Sequence, residues 1–319
     1  MKKLISLILC LILCMTCAAV AEVSPNYPGE KTITFIVNRA AGGATDTVAR
    51  AVATDIQNTL GYTTVVLNQE GGDGLIGANE AINANPDGYT FMVVGSTELP
   101  NLLVNFEEAQ FAREDLVPVC QLTSKSKIFA LKPNSQFSNL EEFVAYAKEH
   151  PYELTCAVPG SNSAFGPVLL GNELGINLTV INAQSGNNAY TMLLGGHVDC
   201  AQIGSQFYEN CVAENILVLG DTSDRMDHVE GAADTFASMG YNLVDTNFNY
   251  ILAPKGTPEE IVRAMSDFIG DQIANGTMAD ALTKTKQGLN YKGYDDFVDM
   301  FNTYTDKMIG IYTEMASAE

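Results

Sequence analysis

Apolar positions along this chain fall into short blocks separated by glycine-rich joints, and the spacing inside the blocks alternates between two kinds. Ile33 to Val37 is an apolar-rich run of strand length. Beyond it Val48, Val52, Ile56 and Leu60 recur on one helical face, and Gly61 stops the pattern. Thr63 to Leu67 predicts a second strand, Ile76 to Ala84 a short helix closed before Pro86, and Phe91 to Val94 a third strand. This βαβαβ order implies a parallel sheet with right-handed crossovers.

A second series starts near residue 138. Ser138 and Glu141 read as a capping box for a helix whose apolar face is Leu140, Phe143, Val144 and Ala147, closed by Pro151. Leu154 to Val158, Leu178 to Ile181 and Val198 to Ile203 predict strands with helices between them, and Ile216 to Leu219 a fourth. Phe248 to Ala253 is apolar again and leads into Thr257-Pro258-Glu259-Glu260, a helix start with proline in its first turn. A long amphipathic helix closes the chain. Its stripe of Phe297, Met300, Phe301, Tyr304, Met308 and Ile311 is core-facing by its period. With no low-complexity linker between the two α/β units, the expected arrangement is two lobes with a cleft, ligands sitting at the carboxyl ends of the strands.

The N-terminus changes the picture of where such a protein works. Lys2 and Lys3, the apolar stretch from Leu4 to Met15, and the small residues Ala19 and Ala21 form an export signal, with cleavage expected after Ala21. The apolar stretch is shorter than the roughly 20 residues of a spanning helix. Lipid attachment at Cys14 or Cys17 ranks second, because Leu13 and Thr16 before them are larger than that processing favours. About 300 residues follow the signal, enough for two domains with their own cores. Of the 17 basic residues two lie in the signal, and none of the 38 acidic ones does. The remainder carries 15 against 38, a net charge of −23. Such a surface repels nucleic acid and anionic lipid. It also repels an anionic ligand at long range, so an anion site must be built locally. Cys120, Cys156, Cys200 and Cys211 form no CxxC pair, and three pairings would be open to them. Burial as apolar thiols is at least as good a reading as a bridge.

Candidate chemistry concentrates in the joints. Ala40, Ala41, Gly42 and Gly43 follow the first strand, with Thr45 and Asp46 placed to cap the helix after them. Glycines permit close backbone approach, and free amides at a helix start favour a carboxylate or phosphate. A capped turn without ligand fits the same residues. The second joint, Gly71 to Gly77, contains G-x-G-x-x-G at Gly72, Gly74 and Gly77, and Glu98 lies about 20 residues on, as in a dinucleotide fold. The motif follows the second strand, however, where the fingerprint belongs to the first, and nicotinamide cofactors are not expected outside the cytoplasm. In the second unit Ser161, Asn162 and Ser163 occupy the matching joint. No G-x-S-x-G elbow surrounds them, and His150, His197 and His228 are scattered without metal spacing. No catalytic group, metal or cofactor is expected.

The segments YPGEKTITFIVNRAAGGATDTVARAVA, GGDGLIGANEAINANPDGYTFMVVGS, LLGGHVDCAQ and APKGTPEEIV resemble the receptors of tripartite tricarboxylate transporters, the Bordetella-uptake-gene type of extracytoplasmic solute receptor. The resemblance runs from about Tyr27 through the C-terminal helix. It implies an α/β, two-lobed periplasmic-binding-protein-like fold of type II, working as a monomer that closes on a small carboxylate and delivers it to a membrane permease. It places first-lobe contacts at Ala40 to Gly43 with Asp46, at Gly72, Asp73 and Gly74, and at Ser96 and Thr97. Second-lobe contacts are Ser161 to Ser163, Gln184, Ser185 and Gly186, and Ser205. Lobe one takes residues 22–123 and 251–319, lobe two 124–250, with connections near Cys120-Gln121-Leu122 and Phe248-Asn249-Tyr250. Two departures stand out. Asn38-Arg39 replaces the family's proline and aromatic, and Ile181-Asn182-Ala183-Gln184-Ser185 replaces a stretch with an aromatic and a base. Arg39 then either forms a bidentate pair with a ligand carboxylate or points outward to surface acid; its place at a strand end favours the first. The lost base leaves open a neutral or amino-acid ligand.

Overall fold

The computed structural model describes residues 23–105, 111–160, 165–223, 234–285 and 287–317. Strand β1 (Ile33–Val37) is followed by α1 (Ala44–Leu60), β2 (Thr64–Asn68), α2 (Leu75–Ile82) and β3 (Thr90–Gly95). Val48, Val52 and Ile56 give α1 its buried face, and Gly61 ends it in the left-handed region, donating its amide to Gln57 O at 3.0 Å. β1 pairs parallel with both β2 and β3, as the βαβαβ pattern requires.

The stretch after β3 was only partly legible in sequence. It holds α3 (Glu98–Asn105) and two consecutive strands, β4 (Leu116–Lys125) and β5 (Lys127–Leu131). Pro118 and the polar Gln121, Thr123 and Ser124 hide β4 from a hydrophobic reading. Pro118 sits opposite Leu252, beside a register slip between Ile251 and Leu252. Thr123 stays satisfied because Asn249 Nδ2 donates to its hydroxyl at 3.0 Å. β10 (Asn247–Pro254) pairs antiparallel between β3 and β4, and β11 (Leu289–Lys292) flanks β4, giving a six-stranded sheet in the order β11-β4-β10-β3-β1-β2. β10 runs antiparallel because it is the chain returning from elsewhere.

That elsewhere is a second sheet. β5 leads to α4 (Leu140–Glu149), β6 (Thr155–Val158), α5 (Phe165–Leu174), β7 (Thr179–Asn182), α6 (Gly186–Leu194), β8 (Cys200–Gly204), α7 (Tyr208–Ala213) and β9 (Val218–Asp221), in the sheet order β7-β6-β8-β5-β9. The helix start expected at Ser138 falls one residue on: Asn139 caps α4 by accepting Glu142 N at 2.8 Å, and Glu142 accepts Ser138 N. Each sheet carries apolar clusters on both faces. Cys120, Cys156, Cys200 and Cys211 are all buried free thiols.

After β10 come α8 (Glu259–Ala274), α9 (Thr277–Lys284) and the closing helix α10 (Tyr294–Ser317). α10 joins both cores. Phe297 and Phe301 pack beneath the first sheet, whereas Met308, Ile311 and Tyr312 pack with Phe165 and Leu169 in the second. Its 24 residues span about 36 Å at roughly 1.5 Å each.

The strands pass from sheet to sheet at Ser126, between β4 and β5. The expected connections at 120–122 and 248–250 instead lie inside paired strands, because β4 and β10 extend further than their apolar residues suggest. A desolvated ion pair sits at this passage: Lys127 Nζ lies 2.6 Å from Asp245 Oδ1, with side chains 4% and 0% exposed. Thr222 ties the outgoing and returning segments together, its amide donating to Lys127 O at 2.9 Å and its hydroxyl to Asp245 O at 2.6 Å. Lys127→Ala leaves Asp245 buried without its cation and is expected to cost about 3–5 kcal/mol in a urea titration. The double substitution Lys127→Met/Asp245→Leu is expected to recover much of that loss.

Candidate functional site

The carboxyl ends of β1, β2 and β3 bring the first-lobe joints together. Residues 40–44 are exposed, and Gly42 takes φ of +83°. Beneath them Asp46 is 1% exposed, and its carboxylate accepts Gly42 N at 2.7 Å, Arg50 Nε at 2.9 Å and Asn68 Nδ2 at 2.9 Å. Burial pushes the Asp46 pKa up, but the bonds from Arg50, Gly42 and Asn68 outweigh it and hold the group below its ordinary range. Asp46 therefore shapes the loop from inside, its carboxylate engaged by Gly42, Arg50 and Asn68. Gly43 is the N-cap of α1 and supplies no side chain to its first-turn amides. A 17-residue helix thus presents an N-terminus without a side-chain cap just beyond the end of β1.

The second joint is contorted: Gly71, Gly72, Asp73 and Gly74 all have positive φ. Two of its glycines, Gly74 and Gly77, answer to packing against Asn38. A Cβ on Gly74 would meet Asn38 Nδ2 at 2.5 Å, and one on Gly77 would meet Asn38 Cα at 2.8 Å and Gln69 O at 2.9 Å. The G-x-G-x-x-G spacing is thus accounted for within the chain, without a pyrophosphate. Asn38, which replaces the family's proline, is 1% exposed at the centre of this packing.

Arg39 departs from expectation. Its guanidinium is paired with Asp73 through Nη1 and lies 3.3 Å through Nε from Glu98 Oε1. Asp73 also accepts Asn101 Nδ2 at 3.2 Å. Burial pushes the Glu98 carboxyl up, and Arg39 draws it only partly back. Burial lowers the Arg39 pKa, but Glu98 and Asp73 together raise it, so Arg39 stays charged. The arginine expected to take a ligand carboxylate is held by two carboxylates of its own lobe, because the β1 end faces Asp73 and Glu98 directly.

Ser96 is buried, its amide donating to Phe248 O at 2.8 Å and its hydroxyl to Thr246 O at 3.3 Å, so it holds β10 instead of facing outward. Thr97 follows it, partly exposed, before α3. In the second lobe Ser161, Asn162 and Ser163 lie outside the described residues. Gln184 is exposed with φ of +67°, Ser185 caps α6 by accepting Asn188 N at 3.1 Å, and Gly186 opens that helix. Ser205 donates its amide to Ser126 O at 3.1 Å, beside the passage between sheets.

Sequence reasoning missed the buried polar cluster at the passage between the two sheets. Gln202 Nε2 donates to Asp245 Oδ2 at 2.5 Å, and Lys127 Nζ lies 4.5 Å from the centre of the Phe165 ring. Tyr312 of α10 comes within 6.1 Å of the same ring. Burial, with Asp245 and Asp73 adding to it, raises the Tyr312 phenol pKa, which keeps the hydroxyl neutral. One signal existed for Lys127, a lysine opening the apolar run Ile128 to Leu131; none existed for Asp245. Among the described residues no cluster of three or more His, Cys, Asp or Glu side chains could hold a metal. His150 stacks on Tyr146 at 4.2 Å, His197 packs by Gly195, and His228 lies outside the described residues.

Two α/β lobes joined at paired strands, with loops converging at the strand ends, form a periplasmic-binding-protein-like fold. The chain superposes on a TctC solute-binding protein from Polaromonas with a TM-score of 0.78, at 22% identity, covering 90% of this chain and 99% of that one. MatC from Rhodopseudomonas palustris with bound malate gives 0.63 at 22% identity, over 88% and 98% of the two chains. Rpa4515 of R. palustris with adipate gives 0.65 at 20% identity, over 90% and 98%. In sequence the chain is 28% identical to Protein BugT of Bordetella pertussis over 280 residues, 83% of each protein. Residues 48–308 match the model of the tripartite tricarboxylate transporter family receptor, and the chain belongs to that family.

Because the Asp46 pKa is lowered by folding, its ionised form stabilises the protein above the unfolded value, and that contribution is lost as pH falls through the folded one. Asp46→Asn is therefore expected to melt below wild type at neutral pH, the gap narrowing as pH drops from about 5 towards 3. Thermal denaturation across that range checks it.

Proposed function

We propose that this chain is an extracytoplasmic receptor that captures a small organic carboxylate by closing its two lobes and passes it to a membrane permease, making and breaking no bond. The observation that carries the reading is the α1 N-terminus. An exposed loop over residues 40–44, a helix start with no side-chain cap, a left-handed Gly42 and support from below by Asp46 make a preformed seat for one carboxylate. Such a seat needs no unpaired cation, which fits a net charge of −23 beyond the export signal. Membership of the receptor family, and the malate and adipate held by two proteins of the same fold, support the ligand class. The N-terminal signal supports export, and no helix among the described residues is long and apolar enough to cross a membrane. Closure about Ser126, with residues from both lobes gripping the ligand, is the expected way for such a fold to favour the bound form.

A second reading rests on charge. At the end of β1 Arg39 faces both Asp73 and Glu98, two carboxylates to one cation. A ligand bearing an ammonium group beside its carboxylate, such as an amino acid, would balance that excess.

Ala44→Pro separates the amide seat from the fold. Residue 44 is the first helical position, where proline is tolerated, and Gly43 before it is extended at φ −71° and ψ 173°, as a residue preceding proline must be. The substitution deletes one amide donor. Calorimetric titration with malate and adipate is expected to show binding to wild type and at least tenfold weaker binding to Ala44→Pro, with the melting point of the ligand-free protein unchanged. Binding of an amino acid, with neither diacid bound, supports the second reading.

A further inference from the structure

A cavity of about 460 Å³ opens along the edge of the first sheet opposite β2, where β4, β11 and α10 meet. It shares no residue with the loops at the strand ends. Register slips lie beside it, between Asn249 and Tyr250 on β10 and between Leu289 and Lys292 on β11. In its wall Gln121 Nε2 donates to Asn290 O at 2.9 Å.

The walls are of two kinds. Phe248, Met300 and Tyr304 give it an apolar part, while Lys292 of β11 and Lys307 of α10 are its basic lining residues and Asp299 the one acidic residue among them. That combination suits an anion with an apolar body, and the volume suits a small molecule. The cavity also straddles the two lobes. Asn242 in its wall donates its amide to Glu173 of α5 in the second lobe at 2.7 Å, whereas Gln121 and Asn290 belong to the first sheet. Thr246 and Phe248 line it from the returning segment, and those same residues hold Ser96: Ser96 N donates to Phe248 O at 2.8 Å, Ser96 Oγ to Thr246 O at 3.3 Å, and Phe248 N to Ser96 Oγ at 3.4 Å. One short segment thus has the cavity on one side and the end of β3, at the cleft, on the other.

We propose that this cavity is a second ligand site, taking a monocarboxylate with an aromatic or branched apolar body, and that its occupancy acts on the cleft through Thr246–Phe248. The inference does not rest on the identity of the cleft ligand. Phenylacetate is the probe, titrated calorimetrically into the full chain, with amide exchange at Ser96 and Thr97 followed in parallel. One equivalent is expected to bind saturably to wild type, and to slow exchange at Ser96. Lys292→Gln/Lys307→Gln is expected to weaken that event at least tenfold, and Thr303→Trp, which fills the cavity from a solvent-facing turn of α10, to remove it. Should the double variant fail to fold, Thr303→Trp carries the test. Absence of saturable binding at millimolar phenylacetate, or equal binding to wild type and variants, would overturn the site; unchanged exchange at Ser96 on saturation would overturn the coupling.

Discussion

The Lys127–Asp245 pair is the interaction on which the two-lobed arrangement depends. The chain leaves the first sheet through β4 and returns through β10, and the segments on either side of that passage must stay in register although no strand ladder runs through it. A lysine and an aspartate buried there, 2.6 Å apart, are stable only if every other polar atom is met as well. Thr222 and Gln202 meet most of them, from the second lobe, by bonds to Lys127 and Asp245. A nonpolar pair could fill the same space but would not fix which residues face each other. The ion pair fixes the passage, and both lobes are oriented from it.

The first-lobe side of the cleft is shaped largely from within. Asp46 and Asn38 do not face outward; they sit under the loops and dictate their shape, one through three hydrogen bonds and the other through close packing against Gly74 and Gly77. Arg39 is engaged by Asp73 and Glu98. What remains for a ligand on this side is mainly backbone, and backbone amides at a helix start recognise an anionic oxygen regardless of the net charge of the surface. This would reconcile a strongly acidic protein with the proposed capture of an organic acid.

Much of this was legible in the sequence. The parallel β2-β1-β3 core, the second α/β unit and the core-facing stripe of α10 follow from apolar spacing alone, because a strand or helix buried on one side must repeat with its own period. The loops at 40–43 and 71–77 were legible as joints for the same reason. Three features were hidden. β4 was masked by Pro118 and by polar residues whose partners are distant in sequence. The inward turn of Asp46 and the pairing of Arg39 depend on what lies opposite each side chain, which periodicity does not encode. Asp245 gave no signal, since an aspartate in a loop reads as solvated until Lys127 is placed beside it.

Helix α10 sets the limit on how the lobes can move. With Phe297 and Phe301 in one core and Met308, Ile311 and Tyr312 in the other, the proposed closure would pivot about this helix and the strands at Ser126 rather than translate one lobe across the other. The central claim, ligand capture by closure, is therefore open to a distance measurement across the cleft. All four cysteines of the described chain are buried, so spin labels at Gln57→Cys on α1 and Asn187→Cys on α6 would report alone. Saturating malate or adipate should replace a broad or long distance distribution with a single shorter one. A distribution unchanged by a ligand that calorimetry shows to be bound would contradict the account.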